Sequence, residues 1–193
     1  MGKKIKWGIL GSAHIATEHV IPAMLSCQYG EVYAIASRST EKAQNIAEQF
    51  GIPECYGSYE ELLVDKEVDA IYIPLPNHLH VQWAIKALEA DKHVLVEKPV
   101  GLSSKEAERL LQETKKYPHL KVMEAFMYRH HPQWIKVKEL VDQKAIGDIK
   151  TIQSSFSFFE DDPNSIVNSK EFGGGSLMDI GCYPLSLSRF MFN

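Results

Sequence analysis

Short apolar runs recur along the first two thirds of the chain, at residues 5–10, 32–36, 70–73, 94–96 and 121–124. They are rich in Ile and Val and too short for buried helices, so they read as strands. The segments between them carry helical spacing instead. In 14–27, Ile15, His19 or Val20, and Met24 fall on one side; in 77–90, Val81, Ala84, Ile85 and Leu88 do. Thr40, Asn77 and Ser103 stand where helix N-caps are expected, and Glu106 follows Ser103 at capping-box spacing. Gly51 closes the segment that starts at Thr40. Strand and helix alternate five times, which predicts an α/β fold: a doubly wound parallel sheet with helices on both faces.

The rhythm changes after residue 124. Residues 131–147 read as a helix ended by Gly147. In 149–159, Ile152, Phe156 and Phe158 alternate with Thr151, Gln153 and Ser155, which predicts a half-solvated strand of antiparallel type. A polar loop, 160–175, leads to a last helical stretch, 176–192. A lone amphipathic strand has nothing to pair with, so residues 1–124 are expected to form one domain and 125–193 an incomplete second one. The natural chain is expected to run well beyond Asn193, with later strands covering Phe156 and Phe158. A protein ending at Asn193 is expected to self-associate through that strand and to show little activity.

Composition narrows the function. The 193 residues carry a net charge of −4, which is no polybasic signature, so no nucleic-acid partner is expected. Cys27, Cys55 and Cys182 are scattered without a C-x-x-C, which argues against a disulfide framework or zinc site and suits a reducing cytosol. No stretch has the length of a membrane span or a signal core. The expectation is a soluble cytoplasmic protein.

The first strand runs into the first helix through "WGILGSAHIA". Gly11, Ala13 and Ala16 stand at G-x-G-x-x-G/A spacing, with Ala13 where a second Gly is usual. Small residues there allow a tight turn, and backbone N–H groups of Ser12, Ala13, His14 and Ile15 can approach a pyrophosphate at the helix start. The next strand ends "ASRSTEK". An NAD site favours an acidic residue here; Ser37, Arg38 and Lys42 stand in its place and suit a 2′-phosphate. NADP(H) is therefore the expected cofactor, with NAD(H) as the weaker alternative; an ordinary βα turn with a solvated Arg is the bland alternative.

Two further strands deliver chemistry to the same sheet edge. One ends "IYIPLPNHLH", placing Pro74, Leu75, Asn77 and His80 there, with Pro74 and Pro76 holding the loop extended. No carboxylate or Cys stands by His78 and His80 at ligand spacing, so no metal site is expected. The other ends "VLVEKP", placing Glu97 and Lys98 there. Downstream, Asp179 and Tyr183 are four apart and share a helix face. A free tyrosine, with pKa about 10, is a poor base near neutrality, and a nearby ammonium lowers it.

"GILGSAHIA", "ASRS", "YIPLPNHLH", "EKP", "YRHHPQ" and "GGGSLMDIGCYP" occur in the order seen in the glucose-fructose oxidoreductase, inositol dehydrogenase and MocA-like family. The chain most resembles its dihydrodiol and xylose dehydrogenase branch, over essentially its whole length. Tyr at position 183, where inositol dehydrogenases have His, carries that choice. The resemblance implies a dinucleotide-binding domain followed by an α+β domain whose open, mainly antiparallel sheet holds the substrate pocket and often a subunit interface, hence a homodimer or higher homo-oligomer. It implies catalysis by Lys98, Asp179 and Tyr183, cofactor contacts along the edge described above, and a sugar, polyol or vicinal diol as substrate. Arg129 and His130 are expected to line the cleft. The rival expectation is a non-catalytic dinucleotide-binding sensor of the same fold, which would have no use for the Lys98, Asp179 and Tyr183 set.

Overall fold

The computed structural model of the protein describes residues 3–163 and 165–192; Met1, Gly2, Asn164 and Asn193 lie outside the described residues. The chain divides into two compact units, Met1–Glu124 and Ala125–Asn193.

The first unit is built on six strands: β1 (Ile5–Leu10), β2 (Gly30–Ala36), β3 (Glu54–Tyr56), β4 (Ala70–Ile73), β5 (His93–Val96) and β6 (Val122–Glu124). They are parallel throughout and lie in the order β3-β2-β1-β4-β5-β6. Neighbouring residues of one strand point to opposite faces, and here both faces are filled. Leu10, Ala34, Ala36, Ile71, Ile73 and Val96 join one buried cluster with Leu62, Trp83, Ala84 and Leu110. Ile9, Ile35 and Tyr72 join the other with Ile21, Ile46 and Ala47. A sheet buried on both faces explains why its central strands read as continuous apolar runs.

The helices follow local rules. Pro22 has no N–H to offer the Glu18 carbonyl and its ring crowds it. The first helix accordingly opens into a π-turn, Ala16–Val20, closed by the Ile21 N–H on the Ala16 carbonyl, before α1 (Ile21–Leu25). Ser39, one residue before the expected Thr40, caps α2 (Thr40–Phe50) by accepting from the Lys42 N–H. Ser58 caps α3 (Tyr59–Leu63) in the same way. A 3-10 turn, Asn77–Leu79, precedes α4 (His80–Glu89). Ser103 caps α5 (Ser104–Thr114), and the Glu106 carboxylate reaches back to the Leu102 N–H at 2.7 Å.

The second unit contains α6 (Pro132–Asp142) and α7 (Cys182–Phe192), the latter entered through a π-turn, Leu177–Gly181. Pro184 falls in the first turn of α7, where its missing N–H costs little. Residues 149–159 correct an expectation: they form no strand. A strand is held by a ladder, and no other strand occurs among the described residues of this unit. The alternation survives only as exposed rings, Phe156 at 52% and Phe158 at 53%. The loop after it folds back through a 3-10 turn, Ile166–Asn168. Gly174 closes it, because a Cβ there would meet the carbonyl oxygens of Ile166, Val167 and Ser169 at 2.5, 2.6 and 2.8 Å.

Candidate functional site

The strand order reverses between β1 and β4, and in such sheets ligands bind beyond the carboxyl ends at that point. The β1 loop turns there on Gly11, with φ +100°. A Cβ on Gly11 would press on Leu75 Cδ2 at 2.9 Å and come to 3.6 Å from the Tyr59 hydroxyl, and the left-handed φ is strained for any residue with a side chain, so the turn favours glycine. The helix that follows leaves its first N–H groups, at Ser12 to Ile15, without intrahelical acceptors. A turn that favours glycine, followed by a helix start, fits the pyrophosphate of a dinucleotide.

Beside it, the end of β2 is tightly tied. The buried Ser37 donates its N–H to the Tyr56 carbonyl at 3.2 Å and accepts the Ser39 N–H at 3.4 Å. Arg38 is exposed, with its guanidinium near the Tyr59 hydroxyl; Lys42 is exposed in the first turn of α2. Burial is the larger influence on the Tyr59 phenol and raises its pKa, while Arg38 works the other way. No acidic residue stands at this strand end, which fits a 2′-phosphate on the cofactor. Tyr59 went unnoticed in the sequence because α3 is a five-residue helix behind a three-residue strand, too short for any periodicity to show.

The loop after β5 is held from several sides. The Glu97 carboxylate, 8% exposed, accepts the Tyr72 hydroxyl at 2.6 Å and the Lys98 N–H at 3.3 Å. The peptide from Lys98 to Pro99 is cis. Glu124, at the end of β6, accepts the Val100 N–H at 2.7 Å. His80 is fully buried; its Nδ1 lies 2.7 Å from the Pro99 carbonyl oxygen and its Nε2 2.6 Å from that of Leu75. This alters the expectation for His80 and Glu97: both are turned into the protein, and they fix the β4 and β5 loops instead of presenting polar atoms to a ligand. Burial is the larger influence on His80 and lowers its pKa, with Lys98 adding to it, against the two carbonyls and Glu97. Lys98 itself is half-buried at the end of this braced loop, and Asn77 is half-buried at the start of the 3-10 turn.

In the second unit, Tyr183 is the second residue of α7 and sits among aromatic rings. Its ring centroid lies 5.4 Å from Phe126, 6.2 Å from Tyr128 and 5.9 Å from Phe156. Tyr128, Phe156 and Tyr183, with Trp134, Ser155 and Leu187, line an apolar cavity of about 580 Å³. The Tyr128 hydroxyl meets Ser186 Oγ at 2.7 Å. Asp179 lies in the π-turn before α7 and lines a separate, smaller cavity of about 160 Å³ with Glu160, Asn168 and Ser176. Arg129 stacks its guanidinium on Phe190 at 4.9 Å, and His130 is exposed. No group of His, Cys, Asp and Glu among the described residues could hold a metal ion.

A family model described as an oxidoreductase family with NAD-binding Rossmann fold matches residues 5–126, and a GFO/IDH/MocA C-terminal domain model matches residues 134–193. The chain is 42% identical over 184 residues to D-xylose 1-dehydrogenase (NADP(+)) 2 of Haloferax volcanii, covering 95% of this chain and 56% of the relative. It is 36% identical over 190 residues to trans-1,2-dihydrobenzene-1,2-diol dehydrogenase of Xenopus tropicalis, covering 97% of this chain and 57% of that one. Among solved structures, it is similar to KijD10, a 3-ketoreductase from Actinomadura kijaniata in complex with NADP and TDP-benzene, with a TM-score of 0.92 and 38% identity, over 99% of this chain and 58% of that one. The chain thus spans little more than half the length of each of these relatives.

Proposed function

The chain belongs to the GFO/IDH/MocA oxidoreductase family, and from that premise we propose that the whole protein is an NADP(H)-dependent oxidoreductase acting on a carbinol carbon of a sugar, polyol or vicinal diol. The observation that carries this reading is Lys98. Three side chains, Glu97, His80 and Glu124, brace the backbone on either side of it, at the same sheet edge as the Gly11 turn and Arg38. A solvated surface lysine needs no such bracing.

When bound, the cofactor supplies the hydride acceptor or donor at nicotinamide C4. The chain does the rest. The Gly11 turn and helix start hold the diphosphate, and Arg38 with Lys42 holds the 2′-phosphate. The Lys98 ammonium stabilises negative charge on the substrate oxygen and on the phenolate of Tyr183. Tyr183 gives or takes the hydroxyl proton, and Asp179 orients substrate hydroxyls. The aromatic walls around Tyr183 exclude water and suit the C–H face of a sugar or diol. The reading extends to a cytoplasmic homo-oligomer, supported by three free cysteines and the exposed rings of the second unit.

The test is a turnover screen of NADP⁺ against sugars and diols with the whole protein, repeated with Tyr183→Phe. Turnover is expected to fall by roughly 10²–10⁴ with cofactor affinity kept. Wild-type turnover in Tyr183→Phe would remove the proton-transfer role.

A further inference from the structure

The Arg38 guanidinium lies close enough to the Tyr59 hydroxyl to act on it, and, having only donors, it can meet that oxygen only as a donor, which leaves the phenol hydrogen uncommitted to Arg38. The same hydroxyl stands 3.6 Å from where a Cβ on Gly11 would be. It therefore faces both the diphosphate turn and the 2′-phosphate arginine. Its ring is 8% exposed and set edge-on to Trp83, with centroids 4.9 Å apart and planes at 90°. Trp83 carries the Lys86 ammonium on its face at 4.0 Å, and Lys86 meets Glu60, the residue after Tyr59, at 2.7 Å. A buried phenol held by these contacts is a rigid post, whereas the exposed Arg38 side chain alone is long and mobile.

We propose that Tyr59 is a specificity-determining residue of the dinucleotide site, whose hydroxyl holds the Arg38 guanidinium in place for a 2′-phosphate and donates its own hydrogen to that phosphate. This rests on the NADP(H) reading given above. An NAD(H) ribose offers no such anion, so the post matters only to the phosphorylated cofactor. A tyrosine with a merely structural role would affect both cofactors equally.

The experiment is a set of binding titrations with NADP⁺, NAD⁺, adenosine 2′,5′-bisphosphate and AMP, on wild type, Tyr59→Phe, Arg38→Ala and the double variant. Phe keeps the ring against Trp83, and thermal melting verifies that each variant folds. Tyr59→Phe is expected to weaken NADP⁺ and the bisphosphate about five- to twentyfold, the loss of one charge-assisted contact. NAD⁺ and AMP should stay within about twofold. In the Arg38→Ala background, Tyr59→Phe should change NADP⁺ binding by less than it does alone, because only its direct contact with the phosphate is left to lose. Equal losses for both cofactors, no loss, or full additivity in the double variant would each overturn the role of Tyr59. A wild type that binds NADP⁺ and NAD⁺ equally would overturn the cofactor reading itself, and a preference that survives Arg38→Ala would overturn the assignment of Arg38.

Discussion

The two units bury their apolar residues very differently. In Met1–Glu124, strands β1, β2 and β4 hold Ile9, Leu10, Ile35, Ile71, Tyr72 and Ile73 at 0% exposure between two helical layers. In Ala125–Asn193, only Phe126 and Met191 among the described apolar residues are buried, while Phe159 stands at 86% exposed and Ile146 at 77%. The first unit closes its own core; the second, taken by itself, leaves much of its apolar surface in water. A fully buried Leu or Ile stabilises by about 1.5–3 kcal/mol, so unfolding resistance should be concentrated in the first unit. Cofactor chemistry built on its sheet edge inherits that rigidity, and so does Lys98, whereas the other groups assigned to substrate, Asp179 and Tyr183, lie on the less covered unit.

Lys98→Met breaks the comparison hardest. It removes the charge at the braced loop while keeping the stem, and turnover of the whole protein should fall by roughly 10²–10⁴. Unfolding curves should barely move; a protein that loses stability but keeps turnover would place Lys98 with the core instead of the site. Next in size is Ile71→Ala, a cavity between two filled layers, which should cost about 2–5 kcal/mol by denaturant unfolding. Phe158→Ala, at 53% exposed, should cost less than about 0.5 kcal/mol in residues 1–193. Similar costs at the two positions would mean that the second unit has a core of its own.

The legibility of each unit follows from the same contrast. β4 is buried throughout, and β1 is buried over its last three residues, so apolar residues on both faces mark these strands, and the topology of the first unit could be read from such runs. β3 could not: Glu54–Tyr56 has three residues at a sheet edge and no pattern to show. The π-turn at Ala16–Val20 follows from Pro22, yet periodicity alone draws a plain helix there. His80 reads as a polar residue near a site; its burial depends on two carbonyls, Leu75 and Pro99, from different loops. In the second unit, 149–159 has a strand's alternation without a ladder, and alternation cannot supply a partner. Lys98, Arg38 and Tyr183 could be proposed from the sequence because their chemistry is carried by side-chain type and by the strand or helix end on which they stand. Tyr59 needed the fold.

A smaller effect tests the bracing by pH. The pKa of buried His80 is lowered from 6.5, so the folded protein binds fewer protons there than the unfolded chain. The associated stability is present above pH 6.5 and is lost as pH falls below it. His80→Asn should be less stable than wild type at pH 8 and should lose part of that acid slope. An unchanged slope would show that His80 does not titrate as a buried group.

The most direct test of the central claim follows the hydride itself. A substrate found in the turnover screen, deuterated at its carbinol carbon, is incubated with NADP⁺ and the whole protein, and the reduced cofactor is analysed by NMR. The account predicts deuterium at nicotinamide C4, with the hydroxyl proton lost to solvent and the transfer slowed in Lys98→Met and Tyr183→Phe. Substrate oxidation that leaves the deuterium in water, with none on the cofactor, would contradict it.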